Sequence, residues 1–460
     1  MKFYRIAGFA RAAMVLPALV VSLPSLLAQQ NDLDSSIDAY VRPYADTNNF
    51  SGAILVERDG KSLFQKAYGF ADREHHTPNT PQTRFHIASI SMQFTAAAVL
   101  RLADRRQFSL DDPIGAVLPG IPGADRITIR NLLTERSGLP DINSLPDYNQ
   151  ILQQPQTPAT LVAKINAKPL LFPPGSQFLH EEHSAYNLLA LIVEQKTGLP
   201  FAAAMHNLVF QPAALDDSFI DDDSPLEISD KALGYQPVGV SDLQPATTIH
   251  WSAKAGNASV CTTVGDEAHW VDALFNGSLL TPGSRSAVLD NPQNIGYGWF
   301  KATKARFSET AYYMNGRAPG FASFVLYLPR ERLTVVAFSN IYSSATTTIG
   351  YDVAAIALGL PHDPFVAASP LTSTAIATST GTFQFGADFY QKNAKLDVIA
   401  VPGGLALHWP SGDLSPLIPQ SADHFIDRSY WENVSIERDA AGHAAALNYD
   451  QYRGPVVPGP

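Results

Sequence analysis

Ser89 stands just ahead of Ser91–Arg105, a run whose Phe94, Ala97, Ala98, Val99 and Leu102 recur at the spacing of a buried helix. A serine at a helix start lies near the amide-rich end, where negative charge is favoured. Such a serine is either a cap or, with a base near it, an acylation nucleophile. A second reactive stretch is His180-Glu-Glu-His183. It reads in three ways. It is a solvated charged turn, or His183 or His180 serves as a base with Glu181 or Glu182 orienting the imidazole, or it binds a metal. The metal reading fits poorly, because Ser184 occupies the place where a His-Glu-x-x-His motif needs its second histidine.

These residues need a scaffold. Two β-rich runs flank Asp59-Gly60, a strong hairpin signal, and a second hairpin is expected at Phe324–Leu328 and Leu333–Ser339. Leu33–Tyr44 reads as an amphipathic helix, with further helices over Asn187–Thr197, Glu267–Phe275 and Ile349–Leu358. Strands at both ends of a helical region predict an antiparallel sheet assembled from distant segments. From Ala367 to Thr380 the composition turns to Ala, Ser and Thr, as in a linker. Short alternating runs follow at Lys395–Val401, Gly404–Trp409, His424–Ile426, Val434–Arg438 and Ala446–Tyr449, predicting a small antiparallel β module. A chain ending near Leu360 is accordingly expected to stay folded.

The composition narrows the function. With 45% hydrophobic and 16% charged residues, the chain of 460 residues is globular. A formal net charge of −11 and the lack of any Lys/Arg stripe argue against nucleic acid as a partner. Cys261 is the only cysteine, so internal disulfides and Cys-based metal sites are excluded. Lys2, Arg5 and Arg11 precede an apolar run from Ala12 to Leu27, then Ala28 and polar residues, the order of a secretory leader. The alternative of a membrane anchor suffers from the run's short length and from Pro17 and Pro24.

Several motifs together resemble the exported serine β-lactamase/penicillin-binding-protein family. They are the first hairpin, Phe85-His-Ile-Ala-Ser-Ile-Ser-Met-Gln-Phe-Thr95, Phe108-Ser-Leu-Asp-Asp-Pro-Ile114 and Ile127-Thr-Ile-Arg-Asn-Leu-Leu-Thr-Glu-Arg-Ser-Gly-Leu-Pro140. Phe172-Pro-Pro-Gly175, Ser184-Ala-Tyr-Asn-Leu-Leu189 and Pro319-Gly-Phe321 complete the set. The resemblance runs from about residue 33 to 360 and implies that Ser89 is the nucleophile of a Ser-x-x-Lys box. The lysine of that box is Met92 here, which cannot accept a proton at neutral pH. The family's Tyr-x-Asn falls in the 180–183 stretch, at His180 and Glu182 or at Glu181 and His183 depending on the direction of counting. Its Lys/His-x-Gly strand motif is Met314-Asn315-Gly316, followed by Arg317. By resemblance a backbone N–H of that strand joins that of Ser89 in an oxyanion hole. Arg317 is either pocket decoration or recognises a substrate carboxylate.

The expected fold is therefore α/β (α+β), an antiparallel sheet flanked by helices with an inserted helical region, plus a C-terminal β-barrel-like module. The boundaries are a leader over 1–28, a catalytic-type domain over 33–360, a linker over 361–380 and the module over 381–456. The expected function is acyl transfer through Ser89 on an ester, a β-lactam or a D-amino-acid peptide, in an exported protein with no cofactor and no metal. The competing class is an inactive relative that binds a small molecule or peptide in the cell envelope. After leader removal no stable membrane span is expected. Ser89, the 180–183 loop and the strand at 314–317 are expected to converge on one cleft.

Overall fold

The computed structural model describes residues 23–457 apart from 167, 181 and 224–229. Most of the expected leader thus lies outside the described residues, as does Glu181. The first helix, Leu23–Asp46, contains the expected Leu33–Tyr44 segment. Among the described residues no single helix is long and apolar enough to cross a membrane.

A seven-stranded antiparallel sheet forms the backbone of the larger domain. Its order is Ile295–Gly296, Trp299–Lys304, Glu309–Ala318, Phe321–Leu328, Leu333–Ser339, Gly52–Arg58 and Lys61–Tyr68. The chain therefore brings its first two strands beside strands made nearly three hundred residues later. The Asp59-Gly60 turn carries positive φ at both residues, 53° and 70°, which is the hairpin geometry that this dipeptide favours.

Phe321–Leu328 and Leu333–Ser339 are buried at every position. Strands covered on both faces read as continuous apolar runs rather than alternating ones. One face, with Phe324, Leu326, Val335 and Ala337, packs with Ile37 and Val41 of the first helix and Ile349 and Val353 of Ala345–Ala357. The other, with Val325, Val336 and Phe338, joins the helical layer of Ser91–Asp104, His183–Thr197 and Val264–Phe275. That second layer holds the catalytic-type residues.

The C-terminal module is an eight-stranded antiparallel sheet among the described residues, its strands in chain order from Gly381–Gln384 to Tyr452–Pro455. A bridge between Phe383 and Val456 brings the first strand to the last, so the sheet closes on itself and hides its edges. Phe383, Leu396, Val398, Leu405, Leu407, Leu417, Phe425 and Leu447 fill its interior. Part of the expected linker is instead helical: Ser373–Ser379 starts where the Thr372 side chain accepts from the Ala375 N–H. Ser379 is buried and accepts a hydrogen bond from Arg438, so this helix is fixed to the barrel.

The two units are not loosely tethered. Arg428 of the module is fully buried against the larger domain. Its guanidinium donates to Asn49 Oδ1 at 2.9 Å, to the carbonyls of Val238, Gly239 and Asp242 at 2.9, 3.0 and 2.7 Å, and to that of Asn48 at 2.9 Å. Burial lowers the pKa of this group to about 10, with partial compensation from Asp242.

Candidate active site

The chain enters the site along the short strand Phe85–His86, turns once through Ala88–Ile90 and continues as the helix Ser91–Asp104. Ser89 sits in that turn. Ala88 before it is held at φ 49°, a left-handed conformation that costs a residue with a β-carbon roughly 1 kcal/mol or more. Neighbouring bonds hold the turn in place. The Ser323 hydroxyl donates to the Ile87 carbonyl at 2.6 Å, and Ser91 Oγ accepts from the Val260 N–H at 3.0 Å.

Gly316 explains how the strand Glu309–Ala318 comes so close. A β-carbon there would lie 2.6 Å from the Ile87 carbonyl oxygen and 2.8 Å from the Ser89 nitrogen. Only glycine lets the two backbones meet, which is the arrangement an oxyanion site of two backbone N–H groups requires.

Ser89, His180, His183, Asn315 and Arg317 line one cleft of about 1020 Å3. Met92 and Met314 do not line it. They are buried in the apolar layer behind, at 0% and 4% exposure, where a bare charge would be costly.

The structure corrects the reading of the 180–183 stretch. Only part of it is a solvated turn, since His180 is exposed whereas Glu182 is completely buried and His183 is nearly so. Glu182 accepts from the Ser137 N–H at 3.1 Å and the Ser137 hydroxyl at 2.6 Å, fastening the start of His183–Thr197 to the 135–139 loop. Burial pushes its pKa up to about 8, and the Ser137 hydrogen bonds only partly offset this. Both Glu182 oxygens thus accept from Ser137. Asp141 stands beside His183, its carboxylate oxygens 3.2 and 3.3 Å from His183 Nδ1. The other ring nitrogen faces the Asn143 amide at 3.4 Å. If Nδ1 carries the proton toward Asp141, Nε2 is left as the basic atom. His180 packs between Phe178 and Phe300, its ring 6.2 and 5.9 Å from theirs. Among the described residues none hydrogen-bonds the Ser89 hydroxyl.

Arg317 is engaged rather than free. Its guanidinium lies 4.1 Å from the Tyr342 ring centre and 4.0 Å from that of Tyr430, and Nη1 donates to Ser344 Oγ and the Ser429 carbonyl. Burial disfavours its charge, yet the flanking tyrosines outweigh this and hold its pKa above the usual value.

Several lining residues were missed from sequence. Asn143 and Tyr148 come from the loop after the Ser-Gly-Leu-Pro stretch, and Lys254 from the turn Trp251–Lys254. Lys254 did leave a signal, a lone cation among small residues in Ser252-Ala-Lys-Ala-Gly256. Tyr390, Trp409, Asp413, Tyr430, Trp431 and Glu432 come from the module, which forms the outer wall. No local motif marks them. Among the described residues no group of three or more His, Cys, Asp or Glu is arranged to hold a metal.

A serine just before a buried helix thus packs beside an inner strand of the antiparallel sheet, with a glycine at the contact. The Beta-lactamase family profile matches residues 37–358, and the chain belongs to that family. A protein of Bacillus subtilis (strain 168) named as a penicillin-binding protein, PbpX, is 28% identical over 311 residues, covering 66% of this chain and 73% of its own length. The crystal structure of SurE superposes with a TM-score of 0.62 at 20% identity, covering 94% of this chain and 100% of that one. The D-amino acid amidase from Ochrobactrum anthropi has a TM-score of 0.63 at 20% identity, covering 71% and 99%. These two likenesses are of fold.

Proposed function

We propose that the protein is a serine acyl hydrolase in which Ser89 is the nucleophile and His183, oriented by Asp141, is the base. The observation that carries this is the meeting of Ser89 and the His183–Asp141 pair in one cleft. In the acylation step the Ser89 Oγ–H proton passes to His183 Nε2 as the Oγ–carbon bond forms. The carbonyl oxygen takes up negative charge against the Ser89 N–H and the strand at Gly316. The bond to the leaving group then breaks, and the leaving group receives the proton from His183. Water repeats the sequence on the acyl-enzyme. His183 must first release the Asn143 amide, a shift of the kind that substrate binding commonly completes.

The substrate is an ester, a β-lactam or a D-amino-acid amide or peptide. The module supplies specificity, and the protein acts outside the cytoplasm after export. A second reading is favoured by one observation. Met92, where the family places lysine, is wholly buried in an apolar layer, so the cleft could serve an inactive binding protein. Hydrolysis of a simple acyl ester separates the two readings. Ser89→Ala should abolish it and His183→Ala should lower it about 10²–10⁴-fold. An unchanged rate in Ser89→Ala would leave only the binding protein.

A further inference from the structure

Lys254 is a cation of the cleft that the reading above does not use. It is only 7% exposed, yet it lines the same cleft as Ser89. Its Nζ donates to the Tyr148 hydroxyl and lies 5.0 Å from the centre of that ring. Among the described residues no carboxylate lies within ion-pair distance of it. An ammonium has three donors and no acceptor, and buried cations are ordinarily paired.

The position of Lys254 is fixed relative to the nucleophile. Trp251, at the start of its turn, stacks on His86 with ring centres 3.5 Å apart and planes 6° from parallel, and His86 lies three residues before Ser89. Beyond the turn, the Gly256 carbonyl accepts from Thr95 Oγ at 2.8 Å and the Val260 carbonyl from the Ile87 N–H at 3.1 Å. The Ala255 carbonyl accepts from Asn187 Nδ2 at 2.7 Å, on the helix that begins with His183. The turn is thus bound to the segments that carry both Ser89 and His183.

We propose that Lys254 and Tyr148 form a subsite for a carboxylate on the substrate, presented at a fixed offset from Ser89. The Tyr148 hydroxyl accepts from the ammonium and keeps its own proton to donate. The pair therefore offers one positive charge and two adjacent donor groups, which match the charge and the two oxygens of a single carboxylate. Arg317 is less suited, because its Nη1 is spent on Ser344 and Ser429 and its faces are covered by tyrosine. The inference rests on this cleft being the substrate site.

Binding of phenylacetate and of phenylacetamide tests the subsite without requiring turnover. Trp409 and Trp431 line the cleft, so tryptophan fluorescence of the full chain reports occupancy. Phenylacetate should bind at least about tenfold more tightly than the neutral amide. Lys254→Gln should erase that preference and Lys254→Arg should keep most of it. Tyr148→Phe should reduce it severalfold, and Ser89→Ala and Arg317→Gln should retain it. Melting temperatures of the variants identify any that fail to fold, and Lys254→Arg then carries the test. Equal binding of the two probes, no binding of phenylacetate, or a preference that follows Arg317 would overturn the proposal. The hydrolase reading fails separately, through unchanged ester turnover in Ser89→Ala.

Discussion

The two walls of the cleft are made of different materials. The larger domain contributes all the cleft's histidines and cations, His180, His183, Lys254 and Arg317, together with hydroxyls such as those of Ser89 and Tyr148. The module contributes rings and acids: Tyr390, Trp409, Tyr430, Trp431, Asp413 and Glu432. The inner wall is pinned around Ser89 by the Ser323 bond to the Ile87 carbonyl and the Val260 bond to Ser91. The outer wall comes from one face and the connecting turns of a closed barrel, where aromatic area is displayed at little cost in conformational entropy. On the proposed function the inner wall carries the reaction chemistry and the carboxylate subsite, and the outer wall adds further choice of substrate.

The sharpest way to break that division is to remove the chemistry from the inner wall alone. Ser89→Ala should lower turnover of an acyl ester by four orders of magnitude or about that, with no change in melting temperature beyond about 2 °C, because the hydroxyl bonds nothing else among the described residues. Kinetics against a small and a bulky ester should show the same loss.

Asp141→Asn comes next. It keeps the shape but removes the charge that holds His183 Nδ1–H, so the rate constant for acylation should fall about 10²–10⁴-fold.

Glu182 gives a prediction about stability. Its pKa is about 8 in the folded protein against an ordinary 4.5. The folded state thus holds a proton that the unfolded state has lost between those values, and stability should fall as pH rises from about 4.5 to 8. Glu182→Gln should lack this slope. By denaturant titration the variant should gain on wild type across that window, by an amount on the order of 4 kcal/mol at pH 8. A difference between the two that is constant with pH would show that the carboxyl is not the source.

The smallest expected effect belongs to the outer wall. Trp409→Ala should raise KM for an aromatic acyl ester about tenfold and leave kcat for an acetyl ester within about twofold. Equal losses on both substrates would show that the module takes part in the chemistry and would dissolve the contrast.

The inner wall was legible in the sequence to the extent that its groups lie in local motifs. Ser89 and Gly316 were legible through the motifs that carry the family resemblance, Phe85–Thr95 and Met314–Gly316. The hairpins at Asp59-Gly60 and 329–332 were legible because turn chemistry is local. Asp141 was not, because its bond to His183 joins residues 42 apart in the chain and no spacing rule links them. Glu182 was misread for a related reason. A pair of carboxylates between histidines looks solvated, and only the fold reveals that Ser137 swallows one of them. The outer wall was invisible, since Trp409 and Tyr430 meet the inner wall only after two separately built sheets dock.

That docking hinges on Arg428, and it has a consequence for how the protein is made. Synthesis runs from the N-terminus, and early domains fold as they emerge. The carbonyls at 48, 238, 239 and 242 are finished long before the arginine that occupies them, which follows by 186 to 380 residues. Until then their socket is open and the cleft has one side. A chain cut short before residue 428 keeps Ser89 and His183 but lacks the arginine that fills this socket. The arginine thus works as an end-of-message signal written in hydrogen bonds: only a molecule read through to its last barrel strands has a closed binding site.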